Sequence, residues 1–242
     1  MVERIPTGIK GLDRLIEGGI PKATSGIIIA DRRSPGGIFG QQILWNNLKR
    51  GMRCTYFHTR YASEKELLDE MSGNGWAAES FLEMGSLRIT DYIALASLTG
   101  EEHQQSGLSQ DVKEVEGRFI SVPKLTKLTS IADYDFAIYD DIDLLLSRLD
   151  KPQFVDWAGT VAKLQKERGG VALALVYQEN LPDDVMHLVD RLASDCAIEL
   201  QTSELPDGML QHSFRVTRMK ATQITPHGWI PYVKDKNGIT TI

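Results

Sequence analysis

The residues best placed to do chemistry lie in Ser25 to Gly51, SGIIIADRRSPGGIFGQQILWNNLKRG. The stretch reads as a buried strand from Gly26 to Ala30, a tight loop carrying Ser34, Pro35, Gly36 and Gly37, and a helix that runs to Lys49 and Arg50 and stops at Gly51. A loop of the pattern G-x-x-x-x-G-K-[ST] would sit between such a strand and helix. Its backbone N–H groups wrap phosphates, its lysine neutralises them, and its hydroxyl holds magnesium. The eight positions here are Ala30, Asp31, Arg32, Arg33, Ser34, Pro35, Gly36 and Gly37, so Gly36 stands for the lysine and Gly37 for the hydroxyl. The frame is kept, while a cation and a metal ligand that stabilise transferring phosphates are missing. Serine is a good N-cap and proline suits the first helical position, so Ser34 and Pro35 are expected to let the helix cap itself where a phosphate would have done so. The alternative is that Gly36 and Gly37 keep the loop open, with Arg32, Arg33 or Ser34 touching an anion.

A second chemical element is acidic. Asp135 to Leu146 (DFAIYDDIDLLL) reads as an apolar strand that exits into Asp140, Asp141 and Asp143. Clustered carboxylates at a strand end suit a hard divalent cation. Without phosphates to complete the coordination, the preferred reading is that Asp140 satisfies backbone amides beside the loop, and no metal site is expected. The five histidines, His58, His103, His187, His212 and His227, show no ligand spacing with cysteine or one another. No G-x-S-x-G occurs.

The elements that must position these residues alternate. A short amphipathic helix carries Ile9, Leu12, Leu15 and Ile16 and ends at Gly18, Gly19 and Pro21. Arg53 to Thr59 reads as a strand, Ser63-x-x-Glu66 opens a helix with a capping box that closes at Gly73, and Leu87 to Ile89 is a short strand. Thr99 to Glu116 is polar and reads as a mobile surface segment. A helix from Phe154 to Lys166, a buried strand from Val171 to Tyr177, a helix from Asp183 to Leu192 and a strand from Asp195 to Gln201 follow. Strand pairs around Gln211 to Lys220 and Gly228 to Val233, ending at Gly238-Ile239, close the chain. The expected fold is α/β, a right-handed, mostly parallel sheet flanked by helices with an antiparallel C-terminal edge, in one domain spanning residues 1–242.

Composition sets bounds. With 42% hydrophobic and 25% charged residues, 242 residues can bury one sizeable core. A net charge of −6 disfavours nucleic acid as a partner, since counterion release needs clustered positive charge. Cys54 and Cys196 lie in strand-like apolar runs and are expected as buried free thiols of a reducing compartment. The longest apolar run, Val171 to Tyr177, is too short to span a bilayer, and the N-terminus lacks a signal-peptide core. A cytoplasmic location is expected.

Along nearly its whole length the chain resembles the KaiC-like branch of the RecA superfamily of P-loop ATPases. The residues that carry the likeness are Ile5-Pro6-Thr7-Gly8-Ile9-x-Gly11-Leu12-Asp13, Gly18-Gly19-Ile20-Pro21-Lys22, Leu48-Lys49-Arg50-Gly51, Gly75-Trp76, His187-Leu188-x-Asp190 and Val216-x-Arg218-Met219-Lys220. The resemblance implies a RecA-like core whose members often form rings, commonly hexamers. It implies nucleotide between subunits, reached from the neighbour by a basic pair matched here by Arg218 and Lys220. It also implies two glutamates just after the second strand, where this chain has Arg60 and Tyr61, and arginine is no base at neutral pH. Glu64 and Glu66, nearby, are read as helix-start carboxylates favoured by the macrodipole. The expectation is a KaiC-like protein that has lost ATP hydrolysis and acts as a structural or regulatory subunit, in a homo-oligomer or with a competent paralogue. No cofactor is expected beyond weak ATP, ADP or phosphate binding at Arg32, Arg33, Ser34, Gly36, Gly37 and Asp140. Two alternatives stand beside it: a nucleotide or anion sensor using the same cleft, and a recombination accessory protein using Val122 to Lys127 (VPKLTK) with Arg218 and Lys220.

Overall fold

The structure is a computed structural model that describes residues 2–96, 120–181, 183–192, 195–224, 228–236 and 238–242. The polar segment from 99 to 116, His103 and His227 lie outside the described residues. In chain order, β1 (Arg4–Ile5), α1 (Lys10–Leu15) and β2 (Ile20–Pro21) lead into β3 (Thr24–Ala30), α2 (Gly36–Leu48), β4 (Cys54–His58) and α3 (Glu64–Gly73). Then come α4 (Glu79–Glu83), β5 (Leu87–Asp91), α5 (Tyr92–Ala96), α6 (Val122–Ile131), β6 (Phe136–Asp140) and α7 (Asp143–Arg148). Last are α8 (Lys151–Arg168), β7 (Val171–Tyr177), α9 (Asp183–Leu192), β8 (Cys196–Glu204), β9 (Leu210–Met219), β10 (Ile230–Asp235) and β11 (Gly238–Thr241).

Nine strands form one sheet in the order β11-β10-β9-β8-β3-β7-β6-β4-β5. From β8 to β5 every neighbouring pair is parallel, and β8–β9, β9–β10 and β10–β11 are antiparallel. This is the expected α/β architecture. Parallel strands buried on both faces read as continuous apolar runs, which is why Val171–Tyr177 was legible as a strand. The period of two sends alternate residues to opposite faces. Ile28, Tyr56, Ile138, Leu175 and Ile198 pack with Phe39, Ile43 and Leu44 of α2. Ile27, Phe57, Tyr139 and Ala172 pack with Phe154, Trp157 and Val161 of α8, and the Phe57 and Tyr139 rings stack at 4.4 Å. Cys54 and Cys196 are buried and free, as expected. Among the described residues no helix is long and apolar enough to cross a membrane.

Two local readings are corrected, and one basic stretch is placed. The strand expected from Asp135 to Leu146 ends at Asp140, and Asp143–Arg148 is helical. The run DLLL fits either period; Leu145 and Leu149, four apart, are the buried pair, and Asp143 sits in the first turn where a carboxylate is favoured. The basic stretch from Val122 to Lys127 is the first half of α6, with Ser121 accepting from the Lys124 amide and Leu125 buried, so its apolar side faces the core. Ser63 accepts from the Glu66 amide, but Glu66 reaches back to the Ala62 N–H at 2.7 Å, so the capping is displaced by one residue from a reciprocal box.

The N-terminal motif is built around Asp13. Its carboxylate accepts from the Thr7 N–H at 2.7 Å, the Thr7 hydroxyl at 2.7 Å and the Gly8 N–H at 2.9 Å. Gly8 turns with φ of 77°, and Asn46 of α2 lies against it and donates to the Thr7 carbonyl at 3.1 Å. The segment therefore clamps the helix that follows the loop. Asp13→Ala is expected to cost about 2 kcal/mol or more, because three donors lose a charged acceptor at once; urea unfolding measures it.

Candidate functional site

The parallel strands deliver their carboxyl ends to one edge of the sheet, where open α/β sheets place ligands. Ala30 is level with Tyr177, and His58 with Asp140. Because β7 and β6 lie between β3 and β4, Tyr177 and Asp140 stand between the loop after β3 and the loop after β4.

The loop from Asp31 to Pro35 is held from the β8 side. Asp31 accepts from the Thr202 N–H at 2.6 Å and from the Arg33 N–H at 3.0 Å, and Arg33 donates to the Thr202 carbonyl at 3.0 Å. Arg32 donates to Asn180 at 2.7 Å. Ser34 does not cap α2, which corrects the self-capping expectation: its hydroxyl, 4% exposed, is bonded at 3.1 Å to the Thr202 hydroxyl, which contacts His212 Nδ1 at 2.8 Å. The residue preceding the helix is Pro35, with no side-chain cap. What meets the first turn instead is Tyr177, whose hydroxyl faces the Gly37 amide and lies 3.3 Å from where a Cβ would stand on Gly36. Burial pushes the Tyr177 phenol up to about 12, with Asp140 adding to the shift, so it is neutral at physiological pH.

Arg60 fills the other side. A Cβ on Gly37 would collide with its guanidinium, so the space beside the second glycine holds the end of this side chain. From there Arg60 Nε reaches Asp140 Oδ2 at 3.2 Å, Nη2 lies 3.6 Å from Glu70 of α3, and the guanidinium sits 4.7 Å from the Tyr61 ring centre while donating to the Tyr61 hydroxyl. Gln41 of α2 donates to Tyr61 and to Glu70, both at 2.8 Å, which fixes the partners. Asp140 is fully buried, accepts from the Tyr56 hydroxyl and from Arg60 on Oδ2, and has no hydrogen-bond partner at Oδ1. Burial pushes its carboxyl up to about 6 against the opposing pull of Arg60 and Tyr56. Asp143, which accepts from Asn180 at 2.7 Å and from the Tyr177 N–H, is pushed up to about 7, chiefly by burial.

Arg32, Arg33, Ser34, Gly36, Gly37 and Asp140 are thus brought to one edge, but each side chain among them is turned to a protein partner. Arg218 and Lys220 are not part of this cluster. They lie at the far end of β9, where the Lys220 ammonium donates to the Ala23 carbonyl ahead of β3. Among the described residues no group of three or more His, Cys, Asp or Glu side chains is arranged to hold a metal. The nucleotide and magnesium that the loop pattern implies do not fit these side chains as placed. The space beside Gly37 holds a guanidinium, the amide there faces a phenol, and the buried carboxylate is engaged by arginine and tyrosine. Tyr56, Tyr177, Glu70 and Gln41 were missed by sequence reasoning. Each reads locally as strand or helix filler, and only the departure at Arg60 signalled them.

Gly37→Ala is expected to destabilise the protein, and to become neutral or stabilising in an Arg60→Ala background, a coupling of about 1–2 kcal/mol readable in a double-mutant cycle by denaturant unfolding. The raised carboxyls at Asp140 and Asp143 mean the folded state holds protons that the unfolded chain has released above pH ~4. Their contribution to stability is therefore largest near pH 4 and is lost as pH rises through about 6 and 7. Asp143→Asn should flatten the decline of Tm between those limits.

Comparison with known proteins agrees with this geometry at the level of fold. A family model described as "ATPase: KaiC" matches residues 5–242. UPF0273 protein PF1931 of Pyrococcus furiosus is 24% identical over 230 residues, covering 92% of this chain and 87% of that protein. The circadian clock oscillator protein KaiC of Parasynechococcus marenigrum is 24% identical over 156 residues, covering 61% of this chain and 30% of that protein. Among solved structures, the KaiC-like protein PH0186 of Pyrococcus horikoshii superposes with a TM-score of 0.76 at 18% identity, with 100% of both chains covered. The flagellar accessory protein FlaH of Methanocaldococcus jannaschii superposes with a TM-score of 0.77 at 16% identity, covering 100% of this chain and 99% of that one. With the family model spanning almost every residue and the RecA-type sheet in place, the chain belongs to the KaiC family of ATPases.

Proposed function

We propose that this KaiC-family chain does not hydrolyse ATP and acts through protein contacts, as a structural or regulatory subunit. The observation that carries the reading is the Arg60 guanidinium between Gly37 and Asp140, in the space that a hydroxyl-bearing side chain at position 37 would need. Three further points support it. Gly36 and Gly37 offer neither cation nor metal ligand. The residues after β4 are Arg60 and Tyr61, so no carboxylate stands there to polarise a water. Asp140, the carboxylate at the end of β6, is buried and committed to Tyr56 and Arg60.

Under this reading the chain's contribution lies in its surfaces, in a homo-oligomer or beside a paralogue whose own site is competent. Arg218 and Lys220, at and just past the end of β9 and outside the loop's hydrogen-bonded cluster, are the residues to reach a neighbour.

Phosphate release from magnesium-ATP by the purified protein is expected to match a buffer blank, and Asp140→Ala is expected to leave it there. Turnover well above the blank that disappears in that variant would overturn the proposal. Millimolar ATP or ADP is expected to leave Tm unchanged, since a ligand that binds only the native state must raise it. A clear rise without turnover would replace the proposal with a nucleotide sensor.

A further inference from the structure

The lining of the cleft beside Gly37 has a chemical character that absence of hydrolysis does not require. We infer that this cleft is a guanidinium-binding site, occupied in cis by Arg60, and that the ligand class it selects is a planar cation rather than a phosphate. The inference rests on the reading of the cleft given above.

The groups that face Arg60 are acceptors and a π-face. Asp140 Oδ2 lies 3.2 Å from Nε, Glu70 Oε1 lies 3.6 Å from Nη2, the Tyr61 hydroxyl oxygen accepts, and the Tyr61 ring lies 4.7 Å from the guanidinium carbon. Two carboxylates and an aromatic face suit the five donors and flat, weakly hydrated face of a guanidinium. They repel a phosphate. The donors an anion would need are spent: Gln41 Nε2 on Tyr61 and Glu70, and the Gly37 amide facing the Tyr177 oxygen. An independent sign of a cation site is the carboxylate itself. Asp140 is 0% exposed, its Oδ1 has no partner, and Arg60 is the one cation bonded to it among the described residues. A buried carboxylate robbed of its counter-ion is strongly destabilising, so removing Arg60 leaves a vacancy shaped and charged for the group that left. The Arg60 side chain is 35% exposed, so the vacancy opens to solvent and a small cation can enter. In the intact chain the tether keeps the effective concentration of the resident arginine high, and free guanidinium does not compete.

The experiment is chemical rescue. Arg60→Ala is titrated with methylguanidinium at millimolar concentrations, far below those that denature, with ammonium and urea at the same concentrations as controls. The expected result is a rise in Tm of about 3 °C at ten times the dissociation constant, seen with methylguanidinium alone, absent in the unmodified protein and absent in Arg60→Ala/Asp140→Asn. Equal responses to the three additives, or none, would overturn the inference. So would a larger stabilisation of Arg60→Ala by ATP or inorganic phosphate, which would mark a phosphate site that arginine merely blocks. Should Arg60→Ala not fold, the double variant decides. Recovery of folding when Asp140 is neutralised supports the cation site, and no recovery refutes it. None of these readouts involves turnover, so ATP hydrolysis by the unmodified protein would sink the proposed function and leave this result standing.

Discussion

A carboxylate with no access to water must be given a counter-charge or a proton, and Asp140 sits in that position at the carboxyl end of β6, an inner strand of the sheet. Much of the surrounding arrangement follows from it. The register of β4 against β6 puts Tyr56 two residues before the position opposite Asp140, so the phenol reaches the carboxylate along the strand. The chain leaving β4 then brings Arg60 back over the same group. Tyr61 from the same loop holds the guanidinium together with Glu70 of α3, and Gln41 of α2 fixes both, so two helices are tied to the sheet by one buried charge and its partners. Such a network is costly when half satisfied and rigid when complete.

The loop after β3 is constrained from the opposite direction. Asp31, Arg33 and Ser34 are all committed to Thr202, so β8 and the hairpin it forms with β9 hold the loop in its present course. Between the two anchors, Tyr177 stands at the end of β7 and faces the first turn of α2. Here protein groups on β7 and β8 supply the contacts that order the loop.

Most of the sheet was legible because buried parallel strands and amphipathic helices carry their periods in the sequence: Val171–Tyr177 and the Phe154, Trp157 and Val161 stripe of α8 appear where expected. The frame of the loop was legible too, as were the departures at Gly36, Gly37, Arg60 and Tyr61. What sequence could not show is that these departures are one feature. Gly37 and Arg60 are 23 positions apart and meet because β3 and β4, three strands apart in the sheet, end on the same edge. Ser34 illustrates the other kind of miss. Its local propensity is to cap, but a tertiary partner, Thr202, took the hydroxyl instead. Tyr177 ends an apolar run and so reads as core, and Asp143, named in the sequence as a strand-end carboxylate, opens a helix because its stretch has a period ambiguous between strand and helix.

The two glycines and the arginine also bear on how such a chain can change. A side chain at position 36 would press on Leu175 at 2.8 Å and on Tyr177 at 3.3 Å, and one at position 37 would run into Arg60. Withdrawing Arg60 first leaves Asp140 uncompensated. Each single replacement, of Gly36 by lysine, of Gly37 by a hydroxyl residue or of Arg60, therefore passes through a less stable protein, and only concerted replacement avoids the barrier. The arrangement works as a ratchet: with Arg60 settled against Asp140, stability alone is enough to keep the two glycines.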